Sequence, residues 1–189
     1  ADLVEPENDS CFLPPAPPSA GIAALNLAEC SAVGLGLLSG PFRSYTAWVA
    51  PGVLMRGSQP DGADLAALAA LGFRTVVNLR LEDDREAART TALGMTPVWL
   101  PFYDQSLPSR AEVREFLAIL DDPARRPVYV HCMQGVGRTG VMVAAYRLAR
   151  CGFTAGRAIE EARAMGMASA RQEDYIRALA KDLAAGRLR

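Results

Sequence analysis

Histidine occurs once in this 189-residue chain, and its four cysteines, Cys11, Cys30, Cys132 and Cys151, include no CxxC pair. One imidazole and scattered thiols do not complete the common zinc sets, so no metal and no cofactor are expected. Charge of one sign is lacking as well. The net charge is −1 with 22% charged residues, so neither a nucleic-acid partner nor an anionic membrane surface is indicated. The longest apolar stretches fall far short of the roughly 20 residues that a transmembrane helix needs, so no membrane insertion is expected. No internal repeat is visible. What is present is 50% apolar composition, enough for one soluble domain with a real core. Any attraction for anions must be local.

Residues 1–40 differ from the rest. "CFLPPAPPSAG" is proline-rich and "GLGLLSGP" glycine-rich, which reads as a partly irregular arm ahead of a domain over 41–189. A Cys11–Cys30 disulfide within the arm suits an exported protein, and two unpaired thiols suit the cytoplasm. No charged-then-apolar leader is visible, and the first residue is Ala rather than Met. The expected compartment is the cytoplasm, with export left open. Cys151 follows a helix and lies about 18 Å along its axis from the 132–140 loop, so a Cys132–Cys151 disulfide is not expected.

From there the punctuation becomes regular. "GVLMRG", "FRTVVNLR", "MTPVWLPF" and "RPVYVH" are extended or strand candidates. "DGADLAALAALG" reads as a helix capped by Asp61 or Asp64 and stopped by Gly72. "EDDREAARTTALG" is expected to be a helix with Asp83 and Asp84 in its first turn, where acids suit the dipole. "SRAEVREFLAILDD" carries a capping box, Ser109 with Glu112. Three helices follow, near 138–150, 155–165 and 170–185. The alternation implies an α/β fold with a mostly parallel central sheet flanked by helices.

Within this frame "HCMQGVGRTG", residues 131–140, is unusual. A strand delivers His131 and Cys132, a loop with Gly135, Gly137 and Gly140 follows, and a helix begins near Arg138. Ligands of open parallel sheets bind beyond the carboxyl ends of the strands, and a helix N-terminus with inward N–H groups is an anion site. GVGRTG also matches the dinucleotide fingerprint G-x-G-x-x-G, with Glu160 20 residues past Gly140. That acid sits in a helical stretch rather than at a strand end, Met133 and Gln134 lengthen the loop, and Arg138 intrudes where bare backbone is needed. A Walker A loop is excluded because no GK[ST] follows.

A nucleophile reading accounts for more residues. A thiol among inward N–H groups, at a helix N-terminus and near a guanidinium, ionises at neutral pH. Arg138 can grip two oxygens of an oxyanion, a fork that lysine lacks. Thr139 places a hydroxyl within reach of the thiolate.

The stretch resembles the signature of the cysteine-dependent protein phosphatases, H-C-x-x-G-x-x-R-[ST]-G, and fills it at His131, Cys132, Gly135, Arg138, Thr139 and Gly140. The similarity extends over roughly 45–180, to the small atypical dual-specificity type. It implies a sheet of four to five strands and a general acid on a loop some thirty residues before the cysteine. Asp104, in "WLPFYDQSLPS", lies 28 residues before Cys132, with Pro101 and Pro108 bracketing its turn. The implied mechanism is attack by Cys132, protonation of the leaving oxygen by Asp104, a phosphocysteine held by Arg138 and the loop of Met133, Gln134, Gly135, Val136 and Gly137, then hydrolysis. Thr139 stabilises the thiolate, and His131 tunes the thiol through nearby backbone.

The implied substrates are a phosphorylated protein or a small phosphate ester, with phosphotyrosine first and phosphoserine or phosphothreonine next. The variable loop positions lack Lys and Arg, which disfavours the inositol-phosphate or phosphoinositide alternative, although Arg43, Arg110 or Arg114 offers charge from other loops. Two alternatives of other classes are a rhodanese-like sulfur transferase, in which Asp104 has no task, and an idle phosphate-recognition module.

Overall fold

The computed structural model describes residues 45–188. The N-terminal arm, Cys11, Cys30 and Arg43 lie outside the described residues. Five strands form one sheet in the order β1-β2-β5-β3-β4: β1 (Thr46–Ala50), β2 (Leu54–Gly57), β3 (Thr75–Arg80), β4 (Thr96–Phe102) and β5 (Val128–His131). β1 pairs antiparallel with β2, and the other neighbours are parallel. Among the described residues, chain order supplies six α-helices, α1 (Gly62–Ala70), α2 (Ala87–Ala92), α3 (Arg110–Asp121), α4 (Gly137–Arg150), α5 (Ala155–Ala164) and α6 (Ala170–Ala184).

Successive strand residues point to opposite faces, and here both faces are covered. Leu54, Val77, Val128 and Val130 join the large core under α3 to α6. Their neighbours Met55, Val76 and Tyr129 pack with Leu65 and Leu68 of α1 on the other face. This is why "TVV" and "VYV" are unbroken apolar runs rather than alternating ones. α4 is buried from Arg138 through Tyr146 and Arg147, as expected for a helix apolar nearly all round. Pro97 and Pro101 fall in β4, which is an edge strand, where a missing N–H is tolerated.

The helix ends follow their caps. Asp61 accepts from Asp64 N and the pair forms a capping box, as do Ser109 and Glu112. The stretch after β3 departs from expectation. Glu82, Asp83 and Asp84 precede α2 and form no part of its first turn. Competing cations draw the first two out: Arg138 holds Glu82, and Arg80 and Arg85 hold Asp83. β1 is a second departure. It follows the arm without a strand signal of its own and is formed by pairing with β2.

Candidate active site

Four parallel strands end on the same side of the sheet, and each hands a segment to one site. β5 ends at His131 and is followed by Cys132. β2 ends at Gly57, and Gln59 N donates to Met133 O at 3.0 Å. β3 leads into Arg80 and Glu82, and β4 leads through Phe102 into Tyr103 and Asp104.

The 132–136 loop closes tightly around sulfur. Cys132 is a buried free thiol, and its Sγ accepts from Gly135 N at 3.3 Å and Thr139 Oγ1 at 3.1 Å. Val136 caps α4 without a side-chain hydrogen bond, so the first amides of the helix remain available to an anion. Gly135 has φ +75, and a Cβ there would sit 2.4 Å from the carbonyl carbon and oxygen of Gly57. Only glycine permits that approach. Arg56, buried on β2, donates from Nη2 to Gly135 O at 2.8 Å and so braces the loop from behind.

Arg138 is 1% exposed. Nη1 and Nη2 donate to the two oxygens of Glu82 at 2.8 and 2.9 Å, and Nη1 also reaches Phe102 O at 3.1 Å. Its Nε has no hydrogen-bond partner and lies 3.8 Å from Asp104 Oδ1. The end-on edge of the fork is thus spoken for, and the Nε edge is presented to a ligand. The Arg138 guanidinium, with Arg80 second, holds the Glu82 carboxyl far below the usual carboxylate range. Asp104 is 73% exposed at its side chain, at the mouth of the site.

His131 is fully buried, with Nδ1 3.0 Å from Cys132 O and Nε2 2.6 Å from Glu86 Oε1. Gln59 bridges outward, donating to Glu86 and accepting from Arg80 Nη1. A continuous polar chain therefore runs from His131 through Glu86, Gln59, Arg80 and Glu82 to Arg138.

The structure brings together Cys132, Gly135, Arg138, Thr139 and Asp104, with His131 behind them. A cleft of about 330 Å³ beside them is lined by Asp104, Gln134, Val136, Gly137, Met167 and Gln172, among others. Met133, next to Cys132 in the chain, is 55% exposed, and Tyr103, next to Asp104, is 72% exposed. Arg110 is drawn off to Asp182 and over the Tyr175 ring. Cys151 is disulfide-bonded and does not pair with Cys132.

Four contributors escaped sequence reading. Glu82 and Glu86 were hidden in an acidic run that suited a helix dipole. Arg56 lies in a strand where a charge has no periodicity signal. Gln172 of α6 is a lone amide, 1% exposed, packed on Gly137 with Nε2 unpartnered.

Residues 48–178 match the family described as DSP-PTPase phosphatase fused to NAD+ kinase. TpbA of Pseudomonas aeruginosa, named a dual specificity protein phosphatase, is 32% identical over 165 residues, covering 74% of this chain and 72% of that protein. The crystal structure of a cysteine-to-serine variant of TpbA in complex with pTyr superposes with a TM-score of 0.59 at 26% identity, covering 78% of this chain and 94% of that one. NAD kinase 2, chloroplastic, of Arabidopsis thaliana is 34% identical over 99 residues, 49% of this chain, and the chain spans only 10% of that protein's length.

Proposed function

This chain belongs to the DSP-PTPase phosphatase family, and from that premise we propose that it hydrolyses phosphate monoesters through a phosphocysteine, without a metal. One observation carries the reading: the buried Cys132 sulfur, the unpartnered Nε of Arg138 and the Asp104 carboxyl converge at the N-terminus of α4.

Cys132 attacks phosphorus in line, and the S–P bond forms as the ester P–O bond breaks. Asp104 gives its proton to the leaving oxygen. The equatorial oxygens take the loop amides and the Nε edge of Arg138, so fixed dipoles and one guanidinium supply the charge stabilisation. Asp104, now a carboxylate, takes a proton from water as that water attacks phosphorus, and Cys132 leaves as a thiolate that Thr139 Oγ1 stabilises. Gln172, with its free amide nitrogen beside Gly137, is the group placed to orient that water.

The substrate class is the aryl phosphate of phosphotyrosine, with phosphoserine and phosphothreonine as further substrates. Tyr103 and Met133 give an apolar rim where a phenyl ring would rest, and TpbA is the relative solved with pTyr. The inositol-phosphate alternative needs cations at the rim, and Arg110 faces Asp182 instead. Among the described residues no helix is long and apolar enough to cross a membrane.

The test is steady-state hydrolysis of p-nitrophenyl phosphate with EDTA present, for the native protein and Cys132→Ser. Turnover that disappears in the variant supports the reading. A folded native protein without turnover over a broad pH range overturns it, and so does turnover that survives the substitution.

A further inference from the structure

Arg56 of β2 is 1% exposed, and its Nη2 donates to Gly135 O at 2.8 Å. Nε and Nη1 have no partner, and among the described residues no carboxylate holds this side chain. Two other buried arginines are treated differently: Glu82 accepts from Arg138, and Glu161 from Arg147. A guanidinium is a permanent cation, and a buried charge without a counter-ion is costly for a fold.

The place of this charge says which anion offsets it. Arg56 is in register with Val130 of β5 and so projects from the sheet face that α4 covers. A Cβ at Gly140, in the first turn of α4, would sit 3.7 Å from Arg56 Nη2. The positive end of a helix repels a cation, so two features of one sign meet behind the 132–136 loop. The loop connects them to its front. The Gly135–Val136 peptide is trans, and the N–H of a trans peptide points opposite to its C=O. With Gly135 O turned back to Arg56, the Val136 N–H points away from Arg56, and Val136 lines the open cleft.

We infer that Arg56 is a positioning residue for oxyanion binding. It turns the Gly135–Val136 peptide so that its N–H serves the phosphate, and its own buried charge is offset by the dianion in the cradle. It acts through the Gly135 peptide and not by contact with the ligand. The inference rests on the phosphate site proposed above.

Isothermal titration calorimetry with tungstate, an unreactive oxyanion, tests it without turnover. Arg56→Gln keeps an amide donor for Gly135 O and removes the charge. It should weaken tungstate binding about tenfold, the scale of one nearby cation lost. Arg56→Lys keeps the charge and should stay within about threefold of native. An unchanged Gln variant, or a Lys variant as weak as the Gln one, overturns the inference. Urea unfolding without anion separates this role from that of a brace that only holds the fold together. Removing a charge that lacks a counter-ion should leave the midpoint of Arg56→Gln at or above the native value, while the rise produced by tungstate shrinks. A lowered midpoint, or a variant that does not fold, makes Arg56 an ordinary structural residue and overturns the inference. Native protein that passes both tests but fails to hydrolyse p-nitrophenyl phosphate would sink the phosphatase reading alone.

Discussion

Glu82 accepts from both terminal nitrogens of Arg138, at 2.8 and 2.9 Å, while Nε of the same guanidinium stands unpartnered 3.8 Å from Asp104. One carboxylate therefore aims the arginine, and the other waits at its open edge. Aiming a fork in advance lowers the ordering cost of binding.

Glu82→Gln should weaken inhibition by vanadate about tenfold at neutral pH. Its effect on stability should stay below about 1 kcal/mol, because the carboxylate is half-exposed. The pH dependence has a definite sign. A carboxyl held below its ordinary range contributes stability above that range and loses it as pH falls toward the lowered value. The gap in urea midpoint between native and variant should be constant near neutrality and shrink on acidification. A gap that widens in acid contradicts the clamp.

Asp104→Asn should cut turnover of phosphotyrosine by about 100-fold, the scale of a positioned general acid. With p-nitrophenyl phosphate, whose leaving group needs less help, the loss should be smaller. Equal losses on both substrates would remove Asp104 from the acid role.

Gln172→Ala should slow hydrolysis of the intermediate more than its formation. Rapid-quench kinetics should then show a larger burst of p-nitrophenol and accumulated phosphocysteine. A variant whose burst and steady state fall together would place Gln172 in packing, against Gly137, rather than beside the water.

Gly135→Ala should destabilise the fold by about 3 kcal/mol or more, since it combines a left-handed φ with backbone contact. Calorimetry on the variant measures this, and a near-native melting temperature would show that the loop can re-form elsewhere.

Glu161→Ala should cost about 3 kcal/mol, because it leaves the buried Arg147 of α4 without the carboxylate that α5 supplies at 3.0 Å. Urea unfolding tests it, and alkylation of Cys132 should be unaffected in the folded variant.

Much of this architecture was legible from short-range chemistry. The β-branched run in "FRTVVNLR" marked β3, "RPVYVH" marked β5, and Ser109 with Glu112 marked the start of α3. The 131–140 stretch identified the loop because its function demands a fixed local geometry. What escaped was set by partners distant in sequence. "RLEDDRE" looks like a helix start until Arg138, 56 residues on, claims Glu82, and β1 becomes a strand only because β2 offers an edge. Gln172 matters only through the α6 packing that lays it on Gly137. Local signals report the backbone's own preferences, and these three depend on tertiary neighbours.

The backbone contact between Gly57 and Gly135 also divides the pocket for anyone who would redesign it. The floor admits no side chain on either side, so it offers nothing to vary and tolerates no graft. The rim, Tyr103 and Met133, is built of side chains that face outward and can be exchanged without disturbing the floor. New substrate scope is therefore to be sought by randomising the rim, with the floor transplanted whole.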